Sequence, residues 1–268
     1  MRAFRVAYDG TAFYGFQRQP DVPTVEGTLF SALARLGVYD PEDHRPAGYA
    51  AAGRTDAGVS ALAQTVTLEG PDWLTPRSLN SELPADVRAW ASAPVPEGFH
   101  ATHDAVSRTY TYHLHAPEAD TARARTVLAS LSGHNDLHNL TPDEEGTERT
   151  LETTLAADGE YLVVSVESGG FARELVRRLV GLLDVVARGE RDEGYVERAL
   201  SDEVLSGGEG VPAAPPEPLV LTDVAYDDLD FTVDERAASS AREVFEARRV
   251  ERQTGARVAG TIRDGCGE

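Results

Sequence analysis

Hydrophobic positions alternate over residues 2 to 9. Phe4, Val6 and Tyr8 fall on one face, which predicts a strand. A period near 3.6 then takes over. In "TVEGTLFSALARLG", Leu29, Ala32, Leu33 and Leu36 form a helical stripe, with Thr24 placed to cap it and Gly37 to stop it. "AGYAAAG" and "AQTVTLEG" read as strands on either side of a loop of small residues. "TPRSLNSEL" reads as a short helix with Thr75 as cap and Pro76 at its first position, and "VRAWASA" as a further strand.

The same kinds of element recur from about residue 105. "SRTYTYHLH" alternates strictly, with Tyr110, Tyr112 and Leu114 on one face. "DTARARTVLASLSG" carries a helical stripe of Ala124, Val127, Leu128 and Leu131. Residues 149 to 168 read as two strands joined at Asp158-Gly159, a hairpin signal. "FARELVRRLVGLLDVVARGE" predicts one long helix that buries Leu175, Leu179 and Leu182 and sets Arg173 and Arg177, four apart, on a shared face. A Pro-rich connection at 212 to 218 leads into a last strand, "EPLVLTDVAY". Beyond residue 231 the chain is acidic and Arg-rich. A helix is expected over 238 to 252, followed by a loose Gly-rich tail. This order predicts an α+β fold of two packed α/β units with mostly antiparallel sheets. The units span residues 1–104 and 105–230, and 231–268 forms a C-terminal extension.

Composition narrows the chemistry. The chain has 268 residues and a formal net charge of −20, and its Lys+Arg total of 25 is all arginine. A lysine-free, acidic surface suits a high-salt cytoplasm, where screening removes the self-repulsion. Without lysine, Schiff-base and P-loop chemistry are excluded. The single cysteine, Cys266, excludes a disulfide framework and a cysteine-rich zinc site. His100, His103, His113 and His115 are close in sequence, but their spacing, with no cysteine or paired carboxylates nearby, does not predict a metal site. No apolar run is long enough to span a bilayer and "MRAFRVAYDG" is no signal peptide, so a cytoplasmic protein is the simplest reading.

Four stretches carry candidate chemistry. In "AGRTDAGVSA" (residues 52–61), Gly53 and Gly58 permit close approach and Asp56 projects among small neighbours, with Arg54 placed to hold it. An ordinary turn, in which the aspartate bonds its own backbone, explains the same letters. Tyr110 can stack on a nucleobase or fill a core. Arg173, Arg177 and Arg178 on a mostly buried helix need carboxylate partners. "YDGTAFYGFQRQ", residues 8–19, reads as a recognition loop, with a packed aromatic turn as the alternative.

"YDGTAFYGFQRQ", "AGRTDAGVSA", "LNSELP", "FHA", "SRTYTY", "GHND" and "FARELVRRLVG" follow one another in an order that resembles the tRNA pseudouridine synthases of the TruA type, over about residues 4 to 228. The resemblance implies two α/β units around a central cleft, a homodimer and no cofactor. It implies isomerisation of uridine to pseudouridine at positions 38, 39 and 40 of the tRNA anticodon stem-loop. It assigns the invariant aspartate to Asp56, the active-site tyrosine to Tyr110 and the arginine that pairs with the aspartate to Arg177. Substrate contacts are expected from Tyr110, Arg54, Arg18, Phe16, Gln17 and Arg173. The carboxylate could attack C6 of the base or C1′ of the ribose, or act as a base at the 2′ position. The target base must leave its stack. The chain departs from the family pattern at Phe16, Ser60, Thr102 and Glu174.

Other classes fit parts of the sequence. An RNA-binding module could keep the fold without catalysis. A hydrolase would need Asp56 paired with Asp104 or Glu174 across one cleft. An RNA substrate also conflicts with the net charge unless a basic cleft lies within the acidic shell. Residues 171–191 hold five arginines against three acids, whereas 136–160 hold eight acids and one arginine.

Overall fold

The computed structural model describes residues 1–267. Its strands are β1 (Arg2–Tyr8), β2 (Ala50–Ala51), β3 (Ser60–Leu68), β4 (Val87–Pro94), β5 (Ala105–His115), β6 (Gly133–Asp136), β7 (Glu148–Asp158), β8 (Tyr161–Ser168), β9 (Leu219–Tyr226) and β10 (Thr232–Val233). They form one ten-stranded sheet in the order β10-β4-β1-β3-β9-β5-β8-β7-β6, with β2 paired to β3. Among the described residues one pair is parallel, β3 with β9, through Ser60 opposite Val220 and Ala61 opposite Leu221. The fold is α+β and mostly antiparallel, as the pattern predicts.

The helices are α1 (Val25–Arg35), α2 (Pro76–Asn80), α3 (Thr121–Leu131), α4 (Leu175–Ala187), α5 (Gly194–Ala199) and α6 (Glu235–Gly265). The Thr24 side chain accepts from the Gly27 N–H, and Thr75 exchanges hydrogen bonds with Ser78 in a capping box. The stripes end up inside. Leu29 and Leu33 of α1 join Phe4, Val6 and Val66 in one core. Leu128 and Leu131 of α3 join Val164, Leu179 and Leu183 in a second. Strand β9 serves both cores, with Leu219 in the second and Leu221 and Val224 in the first. The last long strand of the chain thus lies mid-sheet and fastens the two halves together.

Three expectations about elements need correction. The long helix starts at Leu175, not Phe171. Glu174 is left-handed at φ 59°, and the segment before it is pulled aside where the Arg173 N–H bonds Asp143 Oδ2 at 2.9 Å. Arg173 is therefore off the helix and shares no face with Arg177. The hairpin turn is one residue later than expected, because Asp158 still pairs with Tyr161 and Gly159-Glu160 make the bend. The tail is not loose up to Gly265. Helix α6 continues through Gly255 and Gly260, is capped by Asp234, and is rooted on the body by Arg248 to Asp86 and Arg252 to Asp9. Ala237, Ala238 and Ala241 are its buried residues, and α6 packs on β4.

Candidate active site

A turn positions Asp56. Its carbonyl accepts from the Val59 N–H at 3.1 Å. Gly58, between them, has φ 84°, a conformation that side chains disfavour, and a Cβ there would also approach Pro216 Cγ to 3.0 Å. The main chain makes the turn and leaves the carboxylate out of it. Asp56 Oδ2 instead accepts from Arg177 Nη1 at 3.3 Å. The turn is thus made by main-chain atoms and not by the aspartate side chain, which is left free to pair with a residue of another segment.

Neighbouring segments fasten the loop. The Phe16 N–H donates to Thr55 O at 3.0 Å and the Gly58 N–H to Phe13 O at 3.3 Å. Thr55 Oγ1 shares a 2.7 Å hydrogen bond with the buried Tyr8 hydroxyl, and Gln64 Nε2 donates to Gly53 O at 2.9 Å. The residues that depart from the family pattern are used locally. Ser60 Oγ accepts from the Gly10 N–H at 3.0 Å, and Thr102 Oγ1 donates to Ala51 O.

Arg177 stands in the first turn of α4, at the positive end of the helix dipole, where a cation is disfavoured unless acids offset it. Asp56 does so, with Glu174 Oε1 at 3.9 Å. The Arg177 Nε donates to Ala214 O at 2.9 Å, and the Ala214 N–H returns a hydrogen bond to Arg177 O at 2.9 Å. The Pro-rich connection thus fixes the direction of the guanidinium. Glu174 is itself held by Arg178, whose Nε and Nη2 lie 3.0 and 2.9 Å from Oε2.

Tyr110 faces the same cleft, edge-on to Phe171 with ring centres 5.1 Å apart. Burial, with the Asp56 charge adding to it, pushes its hydroxyl up to about 12. Burial also raises Tyr112 and Tyr226 to about 12. These folded values exceed the ordinary 10.0, so neutral phenols stabilise the fold fully below pH 10 and that contribution is lost as pH rises through 12. The melting temperature should therefore resist base up to about pH 10 and then fall, with the buried Tyr8, Tyr49 and Tyr195, also raised by burial, adding to these three. Melting curves of the wild type and Tyr110→Phe test this, and equal base sensitivity of the two above pH 10 would count against it.

The cleft encloses about 1190 Å³ and is lined by six arginines against four acids, in a chain of net charge −20. It gathers the three expected catalytic residues and the five further expected substrate contacts, in unequal roles. Arg54 is exposed and makes no ion pair among the described residues, so it does not hold Asp56. Gln17 is exposed in the lining. Arg173 is 61% exposed and pairs with Asp143 at 3.3 Å. Arg18 is turned onto Phe30 and donates to His44 O at 2.7 Å. Phe16, expected at the substrate, is 1% exposed and packs beside Tyr8, so its part in the site is to carry the backbone that holds Thr55. Asp104 is occupied by the His100 N–H at 2.7 Å. Among the described residues no group of three His, Cys, Asp or Glu side chains is placed to hold a metal.

Sequence reasoning missed Arg108. Its guanidinium is buried under the Asp56 loop, on the same strand face as Tyr110 and Tyr112. The signal was available: an arginine at an inward position of an alternating strand.

The tRNA pseudouridine synthase family profile matches residues 127–227. A tRNA pseudouridine synthase A of Natronomonas pharaonis is 62% identical over 264 residues, covering 98% of each chain. That of Haloarcula marismortui is 57% identical over 274 residues, covering 99% of this chain and 100% of its own. This chain belongs to the tRNA pseudouridine synthase A family. A more distant member, from Archaeoglobus fulgidus, is 36% identical over 250 residues, covering 92% of this chain and 91% of its own. Membership makes the chain an isomerase, which removes the hydrolase alternative. Its high-identity relatives in the family come from halophilic archaea, in keeping with the lysine-free acidic composition. No helix among the described residues is long and apolar enough to cross a membrane.

Proposed function

We propose that this chain isomerises uridine to pseudouridine at positions 38, 39 and 40 of the tRNA anticodon stem-loop, with Asp56 as the nucleophile. One observation carries the reading. Residues 56, 110 and 177, from three distant segments, meet at one cleft as a carboxylate, a neutral phenol and a guanidinium.

The reaction breaks N1–C1′, turns the base, and forms C5–C1′, with the C5 proton lost and N1 protonated. Asp56 attacks the nucleotide flipped into the cleft, at C6 of the base or at C1′ of the ribose, and the bond it forms is broken again as C5 joins C1′, which returns the free carboxylate. Arg177 fixes the carboxylate. Tyr110 stacks on the detached base and keeps it from leaving while it turns. Arg54 and Arg173, exposed at the cleft, meet phosphates, and Gln17 lies beside them. The net positive lining within an acidic shell answers the charge conflict, and stacking supplies affinity that salt does not remove. The reading includes a cytoplasmic homodimer acting without cofactor. It also includes units at 1–104 and 105–230 with a 231–268 extension.

The test is tritium release from tRNA labelled at uridine C5, in molar KCl, using substrates in which single uridines at 38, 39 and 40 are replaced by cytidine. Release that falls in step with each lost uridine supports the reading. Release unchanged when all three are absent excludes the anticodon site, and no release from a folded, tRNA-binding protein leaves a binding module.

A further inference from the structure

We infer that Arg108 is a positioning residue that sets Asp56 and Arg177 against each other across the cleft. The inference rests on the reading that Asp56 carries the chemistry.

Arg108 is 8% exposed and has no carboxylate within salt-bridge distance among the described residues. All five of its N–H groups point instead at main-chain carbonyls. Nε and one Nη2 hydrogen go to Ala52 O, at 3.3 and 3.0 Å. The other Nη2 hydrogen goes to Thr102 O. Nη1 donates to Gly169 O at 2.7 Å and Ala105 O at 3.3 Å. Arg5, equally buried, has Asp223 at 3.4 Å and the Phe231 ring at 4.3 Å. Burying a guanidinium without a counter-ion is costly unless every donor is satisfied, and here every donor is.

What the carbonyls belong to gives the arrangement its meaning. Ala52 opens the segment that carries Asp56. Gly169 opens the segment that runs through Phe171 and Glu174 into Arg177. Thr102 and Ala105 lead into the strand that carries Tyr110, and Thr102 Oγ1 also ties to Ala51 O. One planar fork therefore joins the roots of the three segments that supply the catalytic set. Its fixed geometry sets their mutual distances, which a flexible ammonium with three donors cannot do. The left-handed Glu174 just before α4 fits the same account, since the chain must bend there to satisfy both Arg108 and Asp143.

The test compares Arg108→Met and Arg108→Lys with the wild type, alone and combined with Arg177→Met. Measured are the single-turnover rate of tritium release, the tRNA Kd and the melting temperature, all in molar KCl and well below each variant's melting point. Arg108→Met should slow turnover about 100-fold, as expected for a misplacement of about 1 Å, with Kd within about threefold. Arg108→Lys should lie in between. In the Arg177→Met background the further loss should shrink to about threefold or less, because the pair being positioned is already gone. A folded Arg108→Met at the wild-type rate overturns the inference, and so does an equal loss in both backgrounds, which would mark a general structural role. Should Arg108→Met fail to fold, the cycle with Arg108→Lys gives the same decision. Turnover by Asp56→Asn would sink the functional reading instead. An active wild type, an inactive Asp56→Asn and a fully active Arg108→Met would sink this inference alone.

Discussion

Asp56→Asn is expected to lower tritium release from C5-labelled tRNA by at least about 10⁴-fold, the scale on which essential groups of a catalytic unit are lost. The amide keeps the shape and can still accept from Arg177 Nη1, now 3.3 Å from the carboxylate. It cannot act as a carboxylate nucleophile. Stability should barely change. The Asp56 side chain is 35% exposed, and an ion pair so placed is worth about 1 kcal/mol or less. Arg177 also keeps Ala214 O at 2.9 Å and Glu174 at 3.9 Å. The melting temperature should therefore move by roughly 2–4 °C at most, with tRNA Kd nearly unchanged. If the variant turns over within tenfold of the wild type, Asp56 is a turn residue only.

Much of the fold was legible because local rules and tertiary structure agree. Thr24, Thr75, the stripe of α3 and the alternation of β5 each have one low-energy use, and the structure uses them that way. The failures lie where distant contacts override local preference. "FARELV" has helical spacing, yet Gly169 and Arg173 are held by Arg108 and Asp143 from other segments, so the helix begins late. The continuation of α6 depends on pairs such as Glu246–Arg249 and on anchors at Asp9 and Asp86, more than 150 residues away in sequence. In the site, Asp56 and Arg177 were identified by motif, and their contact is a property of the fold. Arg54 illustrates the converse. Two residues from Asp56, it was read as its holder, but its guanidinium is left in solvent while the partner comes from α4. Phe16, expected at the substrate, is buried beside Tyr8 in the cleft wall, because a large apolar ring gains more from burial than from a place on a polar rim.

Gly10→Ala should cost about 3 kcal/mol, the upper end for overpacking, and so lower the melting temperature by roughly 6–12 °C. An added Cβ would stand 2.0 Å from Val59 O, 2.4 Å from Val59 C and 3.0 Å from Gly58 C. These are main-chain atoms and cannot swing aside as a side-chain tip would. One of the two loops must therefore shift by about an ångström. The Val59 N–H closes the turn on Asp56 O, and the Gly10 N–H holds Ser60, so the shift passes directly into the segment that carries the carboxylate. A displacement of that size predicts a loss of about 100-fold in turnover on top of the lower stability. Gly255→Ala is the matched control. Nothing lies within 4 Å of its added Cβ, and as an exposed helical site it should gain up to about 1 kcal/mol without a change in rate. Calorimetry and single-turnover assays in molar KCl separate the two effects. If Gly10→Ala melts and turns over like the wild type, the loop at residue 10 yields freely, and Asp56 is held by the arginine side alone.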